Sequence, residues 1–519
     1  MCYRVNKCCF KRRLRCWSAC CVVSSLLTIF FSLAVGLGLA DDIIFLFVKK
    51  DLELVPGSET LDDWLTPADA GQIYDIFYVF DTQNPDEFAA GEVPVVKEVG
   101  PFAYKRHDNK FNMTWNSDET LITFHRDIYY VFDPDKSVGD PNDYNITVIN
   151  VPLIAVLDQL QADSSLSQIR SSLTQTYLRL LHKQSLFLEL TAQEILWGYD
   201  PKMSLTESAA LFAAKTNHSS NFTEGFTTTD TGKDDIYNVA QLVRWNNLTS
   251  IAVWNSEDAR HLYGTLGLRF RPRLEKSRVT VYSDNFVRHL SLVYGGDAEL
   301  RGIDLYCYKL THHLFSNVSQ FPPNQGYYAY DYNYGMINLS IIYDLPLYNS
   351  NPHCLGCDPE YFKTVSGYYP TRSKHESYVD IEPFTGVVLH GAARSQANIR
   401  VRKNEKIRQV QSIQNLTMYP WFYQSTEATA SESSTDDFKS RVQLPRTILN
   451  ILMIICLVLS GLTMLWMAVL LGGWYYYRNR EESKISYNKS SINEDNDSSS
   501  SPLLKGNTTN YNTIEESKV

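Results

Sequence analysis

The sequence predicts an α+β protein: a large β-rich ectodomain with a helical insert, anchored by a transmembrane helix near each terminus. Three observations predict it. Two apolar runs, residues 16–40 and 448–474, carry no charged side chain. Between them, short stretches rich in Val, Ile, Tyr and Phe alternate with Gly, Pro and Asn turns, the pattern of strands. Within that region, residues 151–215 change to apolar spacing of three and four, the period of a helix.

Residues 1–15 form a basic, cysteine-rich N-terminus. Arg4, Lys7, Lys11, Arg12, Arg13 and Arg15 precede the first run, and Asp41 and Asp42 follow it. Positive charge marks the cytoplasmic side. The run is too long for a signal-peptide core and ends without a small-residue cleavage site, so it reads as an uncleaved anchor at 16–40. Cys2, Cys8, Cys9 and Cys16 beside the basic residues are candidates for palmitoylation.

Residues 41–446 follow as one luminal or extracellular ectodomain. Residues 73–80 read as a strand, Asn84-Pro85-Asp86 as a turn, and 93–99 as a strand closed by Gly100-Pro101. Residues 111–115, 121–125 and 128–132 read as a meander. In 151–215, Leu166, Ile169, Leu173, Tyr177, Leu180 and Leu181 recur at helical spacing, and Thr191/Glu194 and Ser204/Glu207 form capping boxes. Strands resume from 236 to 398, and 424–440 reads as a polar loop or stalk. The second span occupies 447–475. A helix of about 27 residues is roughly 40 Å long, enough to cross a bilayer with tilt. Arg446 precedes it; Trp474, Tyr475, Tyr476, Tyr477, Arg478 and Arg480 mark its far boundary. Residues 476–519 read as a disordered cytoplasmic tail.

With 519 residues and a net charge of −10, the chain can bury a full core and is too acidic to suit nucleic acid. Cys307, Cys354 and Cys357 face the lumen, an odd number. The expected disulfide joins Cys307 to Cys354 or to Cys357. A lone Cys354-Leu-Gly-Cys357 pair has no second pair to complete a zinc site, and no metal or cofactor is expected. Asn112, Asn145, Asn217, Asn221, Asn247, Asn317, Asn338 and Asn415 head glycosylation sequons within the ectodomain.

Several motifs fall in one order. Residues 80–88 (Phe-Asp-Thr-Gln-Asn-Pro-Asp-Glu-Phe) precede 98–104 (Glu-Val-Gly-Pro-Phe-Ala-Tyr), then 130–132 and 137–141. Residues 194–199 and 264–272 come next, followed by 375–386 (His-Glu-Ser-Tyr-Val-Asp-Ile-Glu-Pro-Phe-Thr-Gly), Arg394, Gln396 and Asn398. In this order and spacing the chain resembles the class B scavenger receptor family, especially its lysosomal member. The resemblance implies a barrel-like ectodomain with a lipid tunnel and a membrane-distal helical apex at 151–215. Arg170, Arg179, His182 and Lys183 are the candidate ligand contacts on that apex. The apex histidine that gives the lysosomal member its pH sensitivity has no counterpart here, and several of the family's cysteine positions are absent.

The resemblance implies a lysosomal or endosomal membrane glycoprotein, with possible cycling through the plasma membrane. Its partners are the membrane, lipids (sterol, fatty acid or phospholipid) or lipoprotein-like particles. A lysosomal hydrolase is the partner in an alternative reading as a sorting receptor. In the tail, Leu503 and Leu504 fit a dileucine sorting signal and Tyr511 with Ile514 a tyrosine-based one, so clathrin adaptors are expected partners. An ecto-enzyme is disfavoured: the Gly-rich stretches at 69–72 and 295–297 lack the hydroxyl a phosphate loop needs, and no Gly-x-Ser-x-Gly or His-Glu-x-x-His motif is present. Asp380 and Glu382 read as structural. A two-span channel is disfavoured because the second span offers only Asn450, Ser460 and Thr463 as polar lining.

Overall fold

The computed structural model describes residues 22–24, 26–27, 29–30, 40–65, 71–162, 184–199, 225–327, 334–343, 345–405 and 407–496. The chain divides into two compact units. One is the body, Phe45–Leu444; the other comprises Met1–Ile44 and Pro445–Val519.

The body is built on a 13-stranded antiparallel sheet. Its strands are β1 (Gly71–Thr82), β2 (Val96–Trp115), β3 (Leu121–Phe132), β6 (Thr227–Asp230), β7 (Leu242–Arg244), β8 (Arg278–Ser283), β9 (Arg288–Leu300), β10 (Ile303–Leu310), β11 (Ile337–Asn338), β12 (Leu347–Ser350), β13 (Tyr378–Ile381), β14 (Val388–Arg402) and β15 (Leu416–Ala430). The order along the main path is β7-β6-β3-β2-β1-β15-β14-β13-β10-β9-β8, and β12, carrying β11, also pairs with β14. A separate ribbon joins β4 (Asn145–Ile149) to β5 (Phe187–Thr191).

Period-two burial explains the central strand. Ile73, Asp75, Phe77 and Val79 of β1 point inward and are buried, as alternation along a pleat requires. The two outer strands of the path are brought together by Gly264 and Thr265. Leu242 N–H donates to the Gly264 carbonyl (2.9 Å), and Tyr282 N–H donates to the Thr265 carbonyl (2.7 Å). The sheet thereby closes into a near-barrel. Gly264 has φ +83°, and a Cβ there would lie 2.6 Å from the Thr280 carbonyl oxygen, so this closure depends on glycine.

The largest core cluster packs Phe80, Phe88, Phe102, Leu153 and Tyr419 against one another. The helix Val151–Ala162 supplies part of it and is buried on nearly every described face, which suits a helix apolar all round. Asn150 Oδ1 caps its start by accepting from Leu153 N–H, and Asp158 holds Arg400 through two 2.8 Å bonds.

In the other unit, a single helix runs Leu444–Asn496. Among the described residues it is the one helix long and apolar enough to cross a membrane. Its leucines and valines face outward: Leu465 is 65% and Val469 66% exposed. A soluble core helix would bury them. Of the first apolar run, the described residues Val22–Ser24, Leu26, Leu27, Ile29 and Phe30 are helical; the rest of that run lies outside the described residues. Asp41 and Arg446 join the two ends of this unit through a two-pronged pair, Nε–Oδ1 2.9 Å and Nη2–Oδ2 3.0 Å.

The structure differs from the sequence reading in five places of the fold. Residues 424–440, expected as a polar loop or stalk, hold the end of β15 and the helix Glu432–Phe438, because Tyr423 to Thr429 pair with both β1 and β14. β2 is one strand that continues through Gly100-Pro101, because these two residues bulge opposite Tyr78 between the Phe77–Phe102 and Val79–Val99 pairs. Residues 121–125 and 128–132 are likewise one strand, β3. The region 151–215, expected to be helical throughout, contains β5; Phe187–Thr191 finds a strand partner in Asn145–Ile149. Residues 476–496, expected in a disordered tail, are helical; they contain no Gly or Pro, and Arg478 pairs with Glu482 one turn on.

Candidate ligand cavity and the polar networks of the body

One cavity of about 540 Å³ opens in the body. The chain reaches it from the helix Ala40–Val48, the helix Glu59–Leu65, the start of β1, residues 268–269, the 385–389 segment, the end of β15 and the helix Glu432–Phe438. Val48, Leu52, Trp64, Ile73, Leu389 and Phe438 give it apolar walls. Asp51, Asp62, Asp63 and Asp437 are exposed at its margin, and Asp437 is engaged by Arg441 at 2.7 Å. Burial raises the pKa of Asp63, helped by Asp437 and Asp62 and opposed by Arg269.

Arg269 is the buried charge of this cavity, only 5% exposed. Its Nη2 donates to the Leu52 carbonyl at a long 3.4 Å, and its Nε has no hydrogen-bond partner. Burial pushes its pKa down to about 10, against Asp63 and Glu382, so the group is still protonated at neutral pH. Glu382 is itself occupied: it accepts from the N–H groups of Phe384 and Thr385 and from the Thr385 hydroxyl.

A second set of charges is buried between β2 and β3. Arg126 donates to both oxygens of Asp108 (3.1 and 2.7 Å) and to Asp284 (2.5 Å); Arg106 adds a 3.2 Å bond to Asp108. Lys110 lies beside them, donating to the Trp64 carbonyl at 2.7 Å. Burial alone would raise Asp108, but Arg126, Lys110 and Arg106 hold its carboxyl far below the usual range. Burial pushes Lys110 down to about 8. Opposite charges so enclosed stabilise only as a complete set.

A third network joins β2, β14, β15 and the turn before Cys354. His353 Nδ1 accepts from Tyr369 N–H (3.2 Å), so its Nε2 carries the proton and donates to Glu98 at 2.5 Å. Tyr423 also donates to Glu98 (3.2 Å). His375 stacks on His353 with ring centres 4.6 Å apart, and its Nδ1 accepts from Thr371 N–H (3.0 Å). Burial, and then the neighbouring His353, push His375 down to about 4. Burial would raise Glu98, but its bond to His353 brings it below its ordinary value. Gln396 accepts from His353 N–H (2.7 Å) and donates to Asn398 (2.7 Å), which donates to Ser350 (3.0 Å). These hydrogen bonds pin β12 and the 353 turn onto β14.

The sequence-derived sites fall as follows. Arg170, Arg179, His182 and Lys183 lie outside the described residues, as do Asn217, Asn221, Cys2, Cys8, Cys9, Cys16, Leu503, Leu504, Tyr511 and Ile514. Asn112, Asn145, Asn247 and Asn415 are exposed; Asn317 and Asn338 are half-buried. The disulfide links Cys354 to Cys357 rather than engaging Cys307. The reason is geometric: Cys354 and Cys357 sit across one tight turn with Cα atoms 5.2 Å apart, and Gly356 supplies its φ of +81°. Cys307 instead lies opposite Asp380 on the β10–β13 ladder, where burial and that carboxylate push its thiol up to about 12. Asp380 receives His390 Nδ1 at 2.9 Å, and Glu382 caps a turn, so neither faces the cavity as an acid–base pair. The sequence reading singled out neither Arg269, His353 nor His375 as a site, although Arg269 falls inside the 264–272 motif and His375 opens the 375–386 motif.

A near-closed antiparallel sheet with a partly apolar cavity, in one chain with an outward-facing apolar helix, defines a β-rich body on a membrane-anchored chain. The chain belongs to the CD36 family, whose model matches residues 22–471. It is similar to Lysosome membrane protein 2 of Mus musculus, 30% identical over 438 residues that cover 81% of this chain and 88% of the relative. It is also similar to the Homo sapiens protein of that name (30% over 437 residues; 81% and 88% covered) and to Scavenger receptor class B member 1 of Cricetulus griseus (28% over 479 residues; 88% and 91%).

Proposed function

We propose that the chain is a scavenger-receptor-type glycoprotein of the lysosomal or late endosomal membrane. It gathers ligands at an apex formed by residues 151–215 and passes lipid through the barrel-like body towards the membrane. The observation that supports this reading is the partly apolar cavity where β1 and β14 begin and β15 ends, in a body of CD36-family type. Removing an apolar ligand's surface from water drives its entry, and no covalent step is needed, so the protein is read as a receptor and not an enzyme. In this reading both ends are cytoplasmic, residues 16–40 form the second span, and the sequons carry glycans. Arg170, Arg179, His182 and Lys183 attract acidic ligand surfaces, an effect on capture rate more than on affinity.

Two measurements on the purified protein test it. In proteoliposomes, labelled lipid should move from donor to acceptor membranes, and Ile73→Trp with Leu389→Trp, which fill the cavity, should stop transfer while leaving surface binding. Arg179→Glu with Lys183→Glu should slow ligand association at low salt. A wild-type protein that carries no lipid but captures a lysosomal hydrolase would replace this reading with that of a sorting receptor.

A further inference from the structure

We propose that a second pocket, over the polar face of the β8–β9 hairpin, binds an acidic saccharide: a pyranose ring bearing one ionised carboxylate or sulfate ester. This goes beyond lipid carriage and does not depend on it. The pocket has a volume of about 370 Å³ and shares no lining residue with the Arg269 cavity. Sites for small ligands span about 300–1,000 Å³. Thr280 pairs with Ser291, Arg278 with Val293 and Tyr282 with His289, so Arg278, Thr280, His289 and Ser291 share one face of the hairpin. Its other face carries Val279, Leu290 and Leu292, which are buried. Two aromatic rings wall the pocket, Tyr263 and Phe270. Tyr263 is 42% exposed and meets His289 edge-on at 5.1 Å.

The polar side chains of this pocket are uncommitted. Among the described residues, the hydroxyls of Tyr263, Thr280 and Ser291 and the carboxamide of Gln241 make no hydrogen bond. Arg278 is exposed and has no ion pair, and Arg271 has Glu275 as its partner at 3.9 Å. No Asp or Glu is among the described lining residues. Burial and then Arg288 lower the pKa of His289, so at neutral pH it is not a third cation. One free guanidinium and one shared one match a single negative charge on the ligand. The remaining groups decide what carries that charge. An acyl chain would strand three hydroxyls and an amide without partners. A bare inorganic anion would leave the aromatic walls and Gln241 unused. A pyranose ring offers its C–H face to the aromatic rings and its hydroxyls to Gln241, Thr280 and Ser291, with its ionised group towards Arg278 and Arg271.

The test is binding to detergent-purified full-length protein, read by ligand-observed NMR. The probes are methyl glucuronide, glucose 6-sulfate, the neutral methyl glucoside and inorganic sulfate. At least one of the two acidic sugars should bind, about tenfold or more tighter than methyl glucoside, and Arg278→Gln should remove about that factor, the loss of a charge-assisted contact. Arg278 is exposed, so its replacement leaves the fold intact. Thr280→Val keeps a β-branched residue in the strand and removes one hydroxyl; it should weaken the acidic sugar and leave inorganic sulfate unchanged. Absence of acidic-sugar binding at about 10 mM, or binding that Arg278→Gln leaves within about twofold of wild type, overturns the proposal. Methyl glucoside binding as tightly as the acidic sugars removes the role of charge and overturns it too. Inorganic sulfate competing as well as glucose 6-sulfate, with Thr280→Val silent, overturns the saccharide in favour of a plain anion site. The lipid-carrying reading is untouched by any of these results.

Discussion

Replacing His375 by Gln should flatten the acid sensitivity of the body. The imidazole is 4% exposed and stacked on His353. Glu98 favours its charged form, while His353, Arg394 and Lys374 oppose it, and burial outweighs them all. Its pKa falls from the ordinary 6.5 to about 4. Between those values the unfolded chain binds a proton that the folded one does not. Stability therefore falls as pH drops below 6.5, and the loss is complete below about 4. At 1.36 kcal/mol per pKa unit, the deficit at pH 5 is on the order of 2 kcal/mol. For a body of this size that is a few degrees, about 2–4 °C, in melting temperature. Glu98, whose pKa is lowered, adds its own loss only below its ordinary 4.5; buried His289 is also lowered, so within pH 5 to 7.5 the difference between wild type and variant, not the wild-type curve alone, reports His375. The assay is thermal unfolding of wild type and His375→Gln across that window; Gln can still accept from Thr371 N–H. The curves should converge towards acid pH. Parallel curves would refute the assignment of the acid loss to His375.

Three further outcomes follow from the same geometry. Asp108→Asn strips Arg126 of its two-pronged partner and should destabilise the body by about 3–5 kcal/mol in denaturant titration; a change under about 1 kcal/mol would show that water reaches the network. Gly264→Ala places a methyl against the Thr280 carbonyl at a left-handed φ and should cost about 1–3 kcal/mol, with amide exchange accelerating in β7 and β8 before β1 and β15; uniform acceleration would count against closure through Gly264. Leu503→Ala, Leu504→Ala and Tyr511→Ala together should shift the protein to the cell surface in immunofluorescence, and unchanged lysosomal staining would mark the tail motifs as chance matches.

What could be read from the sequence was local. The apolar run 448–474 is its own evidence, since length and absence of charge suffice. Richness in Ile, Tyr, Phe and Val announced β1, and Thr191 with Glu194 formed the capping box their spacing implies. What escaped depends on partners distant in the chain. Glu98 and His353 carry no local sign that they will meet. Arg269 reads as one more basic residue among Arg271 and Arg273 until the fold buries it. Gly100-Pro101 looks like a strand end because proline donates no hydrogen bond, and only a bulge there, two residues against Tyr78, lets β2 continue. The cysteine spacing was visible, but the choice between a distant and a near partner was not, because the turn at Gly356 decides it.

The pairing of β1 with β15 has a consequence for biosynthesis. Gly71 to Val79 lie register to register with Ala430 to Phe422, so the first strand of the barrel waits for the last. While the chain is being made, β2 and β3 can pair as neighbours, but β1 keeps one unsatisfied edge until nearly the whole body has been delivered. Such distant pairing slows folding and leaves an edge open to wrong partners. A chain that stops between residues 402 and 416 thus carries both β1 and β14 with the edge meant for β15 unpaired. Completion of the final strand closes both edges at once.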